Sequence, residues 1–259
     1  MYYALSDGVT VRRAAEVNSA IADATRLLGV PRTALGVTTA ARGTVAGMLS
    51  IKEGNVWADL STGPGRAIPG SLDWIGACTL RSTARHILVV EKDAVFNRLL
   101  QEDACRRLDA VMLTARGQPD VASRALLSKL AALLPEATVV GLVDYNPSGA
   151  LILGTYRGTQ LANARTAQEA RWGVDVRWLC ARTGDLGEAA DLVPLTPRDN
   201  VLIANLLARL GEAPAQAGVV RELRAMAARG MKAELEALYS ATSDLTPVLQ
   251  RKLLRGDFV

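Results

Sequence analysis

The chain has 259 residues, room for one large domain or two modest ones, and 49% of it is apolar. Its formal net charge of +4, carried by more arginine than lysine, is a mild basic excess that suits nucleic acid without requiring it. Three scattered cysteines and one histidine argue against a disulfide framework, a zinc site or a histidine-based triad; no apolar run is long enough to span a membrane, and the first residues do not read as a signal peptide.

The chain opens on Met1-Tyr2-Tyr3. Over residues 11–28, apolar side chains recur at helical spacing (Val17, Ile21, Ala24, Leu27, Leu28), predicting one amphipathic helix that Gly29-Val30-Pro31-Arg32 ends. Residues 34–37 and 47–51 read as short strands joined through Arg42-Gly43, and residues 57–60 as a further strand. A helix followed by a small hairpin is how a winged-helix module finishes. Residues 1–70 are therefore expected to be a partial winged-helix (CAP-like) domain, trimmed at its start. The turn-rich run from Gly63-Pro64-Gly65 to Pro69-Gly70 sets the expected boundary.

From His86 onward, strands and helices alternate. Residues 87–90, 110–114, 138–143 and 174–179 read as strands. Helices are expected at 94–102, from the Asp120 cap to about 134, and from 150 to 156. This alternation predicts an α/β fold with a mostly parallel sheet flanked by helices. Leu195-Thr196-Pro197-Arg198-Asp199 is a helix start, with Thr196 as cap and Pro197 in the first turn. Residues 200–210, 218–229, 232–239 and 247–254 read as the closing helices.

Two strands end in an acid. Ile87-Leu88-Val89-Val90 runs into Glu91, and Val139-Val140-Gly141-Leu142-Val143 runs into Asp144-Tyr145-Asn146-Pro147-Ser148-Gly149. Ligands of open α/β sheets bind at the carboxyl ends of the strands. If the fold lays these two strands side by side, Glu91, Asp144 and Asn146 supply oxygen ligands of the kind a hard divalent ion prefers. Either acid alone would be an ordinary strand end. The combined pattern, a glutamate and then Asp-x-Asp-Pro-x-Gly, is that of a Toprim domain, with Asn146 standing at its second aspartate. Tyr3 is a candidate nucleophile for a phosphodiester, provided a metal or base draws off its proton. Arg12, Arg13, Arg32 and Arg42 form a basic scatter suited to phosphate contacts. Lys232 with Glu234 would otherwise be a plain surface pair.

Together these motifs resemble the A subunit of topoisomerase VI and its meiotic relatives, the transesterases that make recombination-initiating double-strand breaks. The resemblance runs over nearly the full length. Tyr2-Tyr3 resembles the paired tyrosines whose second member is the nucleophile. Leu28-Gly29-Val30-Pro31-Arg32 and Arg42-Gly43-Thr44-Val45-Ala46-Gly47 are similar to the wing region. Val89-Val90-Glu91-Lys92-Asp93-Ala94-Val95-Phe96, Ala115-Arg116-Gly117-Gln118-Pro119-Asp120, Asp144 to Gly149, Tyr156-Arg157-Gly158-Thr159, Leu195-Thr196-Pro197-Arg198-Asp199 and Met231-Lys232-Ala233-Glu234-Leu235 are similar to later motifs.

The resemblance implies residues 71–259 as the metal-binding domain with its C-terminal helices. It implies Tyr3 as catalytic residue and magnesium on Glu91, Asp144 and Asn146. It implies Arg42, Arg12, Arg13 and Lys232 as DNA contacts and double-stranded DNA as substrate. The active form would be a homodimer with a B-type topoisomerase VI partner, nuclear in a eukaryote and in the cytoplasm or nucleoid of a prokaryote, with no membrane association. Other readings stay open: a topoisomerase VI A subunit that reseals its breaks, a Toprim nuclease using water, and a non-catalytic DNA-binding paralogue. Asn146 departs from the pattern by one charge, and the arginine that normally precedes the tyrosine pair is absent.

Overall fold

The computed structural model describes residues 13–30, 32–37, 41–158, 172–187, 191–211, 216–238 and 244–259. The first helix, α1 (Ala14–Leu28), ends where Gly29 turns left-handed. Of the residues expected as a strand at 34–37, the first two fall in a 3-10 turn, Arg32–Leu35, and Gly36 and Val37 join no strand. Gly36 turns left-handed at φ 67°, which ends the turn.

The next strands are β1 (Thr44–Gly47), β2 (Ser50–Glu53), β3 (Val56–Asp59) and β4 (Arg66–Ala67). The single strand expected at 47–51 is in fact a break between two. Gly47 sits at φ 105°, and a Cβ there would lie 2.4 Å from the carbonyl oxygen of Ala110. Only glycine takes that turn, which sends β1 into one sheet and β2 into another. A short helix, α2 (Leu72–Ala77), capped by Ser71, leads to β5 (Thr79–Arg81).

The alternating part is β6 (His86–Val90), α3 (Asp93–Gln101), α4 (Ala104–Arg107), β7 (Ala110–Thr114), α5 (Val121–Leu133), β8 (Thr138–Leu142), α6 (Pro147–Tyr156) and β9 (Arg177–Cys180). The closing elements are β10 (Val193–Pro194), α7 (Pro197–Leu210), α8 (Ala217–Arg229), β11 (Met231–Lys232) and α9 (Thr246–Arg255). Thr196 and Asp199 form a reciprocal capping box at the start of α7. The helix expected over 232–239 does not form among the described residues. Met231 and Lys232 pair with Val193 and Pro194, and Leu235–Leu238 is a 3-10 turn. Strand partners from elsewhere in the chain override the local helical spacing.

The six-stranded sheet has the order β4-β1-β7-β6-β8-β9. Strands β7, β6, β8 and β9 are parallel, while β1 and β4 add antiparallel at one edge. Strands from before residue 70 thus share a sheet with those after it. The parallel strands are buried almost throughout, as expected when helices cover both faces. A separate three-stranded antiparallel sheet, β3-β2-β5, carries Arg81 4.1 Å above the Trp57 ring. No described helix is long and apolar enough to cross a membrane.

The strand order creates a switch point. β6 is central: the chain leaves it to form β7 on one side and returns to form β8 on the other. The crevice at such a point, outside the carboxyl ends of the strands, is where open α/β sheets bind ligands.

Candidate metal centre

Glu91 directly follows β6 and Asp144 lies two residues beyond β8. The strands run in register, with Val90 opposite Leu142. The Glu91 amide donates to the Leu142 carbonyl at 2.9 Å, so the pairing extends one step past the strands. The Asp144 amide then donates to Glu91 Oε2 at 2.9 Å. The two acids that sequence spacing places on separate strands therefore meet at the switch point.

Asp144 is 5% exposed. Its Oδ1 accepts from the Leu235 amide at 2.8 Å and lies 3.4 Å from Lys92 Nζ; its Oδ2 accepts a long bond from Asn146 Nδ2, also 3.4 Å. Burial raises the Asp144 pKa, against the opposing pull of the Leu235 amide and Lys92. Glu91 is pushed up to about 7, first by burial and then by the negative charge of Asp144. Two carboxylates thus share a buried crevice, with the Lys92 ammonium against Asp144 at 3.4 Å. The donor set is all oxygen, as magnesium requires, and one or two carboxylates are its usual protein share. These residues fit a divalent ion. Among the described residues, no group of three or more His, Cys, Asp or Glu side chains has metal-holding geometry.

Asn146, the third expected ligand, uses its side-chain oxygen at a helix start. Its Oδ1 accepts from the Gly149 amide at 2.8 Å, which makes it the N-cap of α6, with Pro147 in the first turn. Gly149 is needed here for close approach: a Cβ would stand 2.4 Å from the Asp144 carbonyl oxygen. The helix start is thereby packed directly beneath the aspartate.

Between the two polar residues, Tyr145 is fully buried. Its hydroxyl meets Thr183 Oγ1 at 2.9 Å, and Thr183 donates twice to the buried Glu222. Its carbonyl accepts from the Ala233 amide at 2.9 Å. The segment 231–238 thus lies as a strap across the loop, fastened at Asp144 and Tyr145. From this strap, Glu234 and Glu236 reach Lys92 at 3.0 and 2.6 Å. Burial works against the Lys92 charge, but these bonds and Asp144 outweigh it and raise its pKa.

The expected DNA contacts fare unevenly. Arg42 is exposed. Arg13 is exposed beside Glu16, at 3.5 Å. Lys232 is engaged with Asp199 at 2.7 Å and is only 26% exposed, so it is a tie between the strap and α7, not a free cation on the surface. Tyr3 and Arg12 lie outside the described residues. One basic residue at the sheet edge stood inside a motif without being given a role. Arg116 follows β7 at φ 56° and is held by Asp93 at 3.0 Å, while Gly117 donates to the Glu91 carbonyl. A left-handed arginine beside a candidate centre is a signal visible only in the backbone. Lys92 and Glu236 were missed too, because 144 positions separate them.

A protein-family model described as topoisomerase 6 A subunit/Spo11, Toprim domain, matches residues 86–252. The chain is 33% identical over 250 residues to meiotic recombination protein SPO11-2 of Arabidopsis thaliana, covering 94% of this chain and 64% of that protein. It is 32% identical over 255 residues to the A3 subunit of DNA topoisomerase 6 from Oryza sativa subsp. indica (95% and 56%) and 32% over 251 residues to meiotic recombination protein SPO11 of Mus musculus (94% and 62%). The chain spans less than two thirds of the length of these relatives.

Proposed function

Because the chain belongs to the Toprim family of topoisomerase 6 A subunits and Spo11, we propose that it is a DNA transesterase that makes double-strand breaks initiating meiotic recombination. The observation that carries the reading is the contact of Glu91 with Asp144 at the switch point of the sheet. The meiotic assignment leans on relatives named for meiotic recombination, which this chain matches over a larger share of their length than it does the A3 subunit of topoisomerase 6.

In this reading the Tyr3 oxygen attacks a backbone phosphorus. The new bond joins the tyrosine oxygen to phosphorus, the bond to the 3′ oxygen breaks, and that oxygen leaves with a proton. The protein is left on the 5′ end, and no nucleotide is consumed. Glu91 and Asp144 would hold magnesium, which would supply charge to stabilise the phosphate and the leaving oxygen. Asn146 holds the loop rather than the ion, by capping α6. Arg116 and Arg42 take phosphate contacts that set the duplex in register. Residues 1–70 carry the tyrosine on a winged-helix part that lends β1 and β4 to the sheet. Two strands need two tyrosines, so the active form is a homodimer, each site combining one chain's tyrosine with its partner's metal pair. A B-type partner protein assists, and the site of action is the nucleus.

The test is incubation with supercoiled DNA, magnesium and a B-type partner, followed by denaturation and analysis of 5′ ends. An adduct that depends on both Tyr3 and Glu91 is expected. Free 5′ phosphates without adduct would replace this reading with a water-using nuclease. Salt-dependent binding indifferent to magnesium, with no cut, would replace it with a DNA-binding paralogue.

A further inference from the structure

Lys92 is a cation already resident in the acidic centre. Its ammonium stands 3.4 Å from Asp144, 3.0 Å from Glu234 and 2.6 Å from Glu236. The lysine side chain is 23% exposed, the two strap glutamates 70% and 44%. The ammonium therefore lies between a buried acid of the site and two acids on the solvent side.

The strap does not owe its place to Lys92. Its main chain is fixed independently, by Ala233 on the Tyr145 carbonyl, by Leu235 on Asp144 and by the Met231–Lys232 pairing with β10. Glu234 and Glu236 are thus held near Asp144 whichever way the lysine turns. A lysine carries a compact charge on a flexible four-carbon stem, so its head can move between neighbouring acceptors without the backbone shifting. A divalent ion on Glu91 and Asp144 would be repelled by an ammonium left against Asp144.

We propose that Lys92 is a tethered competitor for the divalent ion, and that Glu234 and Glu236 form the dock that draws its ammonium off Asp144 when the ion binds. The inference rests on reading Glu91 and Asp144 as the metal pair. Lys92 is a positioning residue in this scheme: it acts through the availability of Asp144 and touches no reacting atom. The strap acids act through Lys92.

The experiment is calorimetric titration of magnesium, and of manganese as a second probe, into the full chain without DNA. Four forms are compared: the parent, Lys92→Met, the double change Glu234→Gln with Glu236→Gln, and all three together. The lysine variant should bind roughly tenfold tighter and the double glutamine variant roughly tenfold weaker, the scale of coupling between residues in contact. The triple variant should bind like Lys92→Met, because without the ammonium the dock has nothing to hold. A general loss of structure would move all forms the same way. Lys92→Arg serves if the methionine variant does not fold; its fork keeps the charge and grips carboxylates in pairs, so it should bind the ion more weakly than the parent. Equal affinity of the parent and Lys92→Met, or an equal loss from the glutamine changes with and without Lys92, would overturn the inference and leave the metal pair standing. No binding heat in any form would remove the metal pair itself, and this inference with it.

Discussion

Two glutamates at the ends of two strands, Glu53 and Glu91, meet opposite fates. Glu53 closes β2 in the small antiparallel sheet. It is paired with Arg66 and with the Trp74 indole, and these bonds hold its carboxyl below the ordinary range. Glu91 follows β6 and faces another acid in a buried crevice, where its pKa is raised to about 7. Charges around the small sheet find partners: Arg66 of β4 takes Glu53, and Arg81 and Lys52 lie over Trp57. At the carboxyl edge of the large sheet, Glu91 instead keeps the negative charge of Asp144 beside it. Perturbed acids in a crevice mark a candidate site, and the contrast picks out Glu91 where a count of acids does not.

The largest effect on this contrast should come from the acids themselves. Glu91→Gln or Asp144→Asn is expected to lower adduct formation by at least roughly 100-fold, the scale set by removing a preorganised electrostatic group. Thermal denaturation without metal should show Glu91→Gln no less stable than the parent, since a like-charge contact is relieved. Glu53→Gln should leave adduct yield unchanged.

Next is the close packing under Asp144. Gly149→Ala forces a methyl group to 2.4 Å from the Asp144 carbonyl oxygen. It should destabilise the chain by about 1–3 kcal/mol, as overpacking does, and weaken magnesium binding as the loop shifts. Urea melts and calorimetry would read the two effects; a loop that keeps its affinity would show that Asp144 is not held from below.

The titration of the two glutamates sharpens the comparison further. Glu91 has a raised folded pKa, so the folded state binds more protons than the unfolded one between about 4.5 and 7. Without metal, its contribution is therefore greatest in acid and falls as pH climbs through that window. Glu53, with its lowered pKa, contributes in the opposite sense, fully above the ordinary glutamate range and less as pH falls below it. Melts in chelator at pH 5 and pH 8, parent against Glu91→Gln, should show the parent losing more stability on going to the higher pH. Magnesium affinity should rise across the same interval as the competing proton leaves.

A smaller change is expected from Asn146→Asp. The aspartate can cap α6 as asparagine does. It replaces the Asn146–Asp144 hydrogen bond with like-charge contact, which a divalent ion relieves. Magnesium should bind several-fold tighter, in the range of one nearby charge on a partly solvated site. Unchanged affinity in calorimetry would mean that position 146 serves the helix alone. The smallest effect should separate two basic residues. Arg42→Ala is expected to reduce the salt slope of duplex binding by about 1, and Lys232→Ala, already committed to Asp199, to leave that slope unaltered.

Much of the sheet was readable because its strands are short apolar runs bounded by turn residues, a pattern set by burial on both faces. Caps such as Ser71 were not anticipated, whereas Asp120 and Thr196 were, because a polar residue before an apolar periodic run announces the first turn. The misreadings have two causes. Left-handed glycines at 36 and 47 break the strands expected at 34–37 and 47–51 from within, whereas pairing with β10 and Tyr145 overrules the helical pattern of 232–239.

From sequence alone, this protein's alternation of strand and helix was determined, as were two strand-terminal acids and the ordered motifs that mark its family. Those are local properties, written in composition, periodicity and capping. Only the tertiary structure decided that β6 and β8 are neighbours, that Asn146 caps α6, and that Lys92 shares its charge with a strap 142 residues away. Contacts of that separation are set by which faces bury together and by which hydrogen bonds remain to be satisfied once they have, and neither leaves a trace in any short window of the chain.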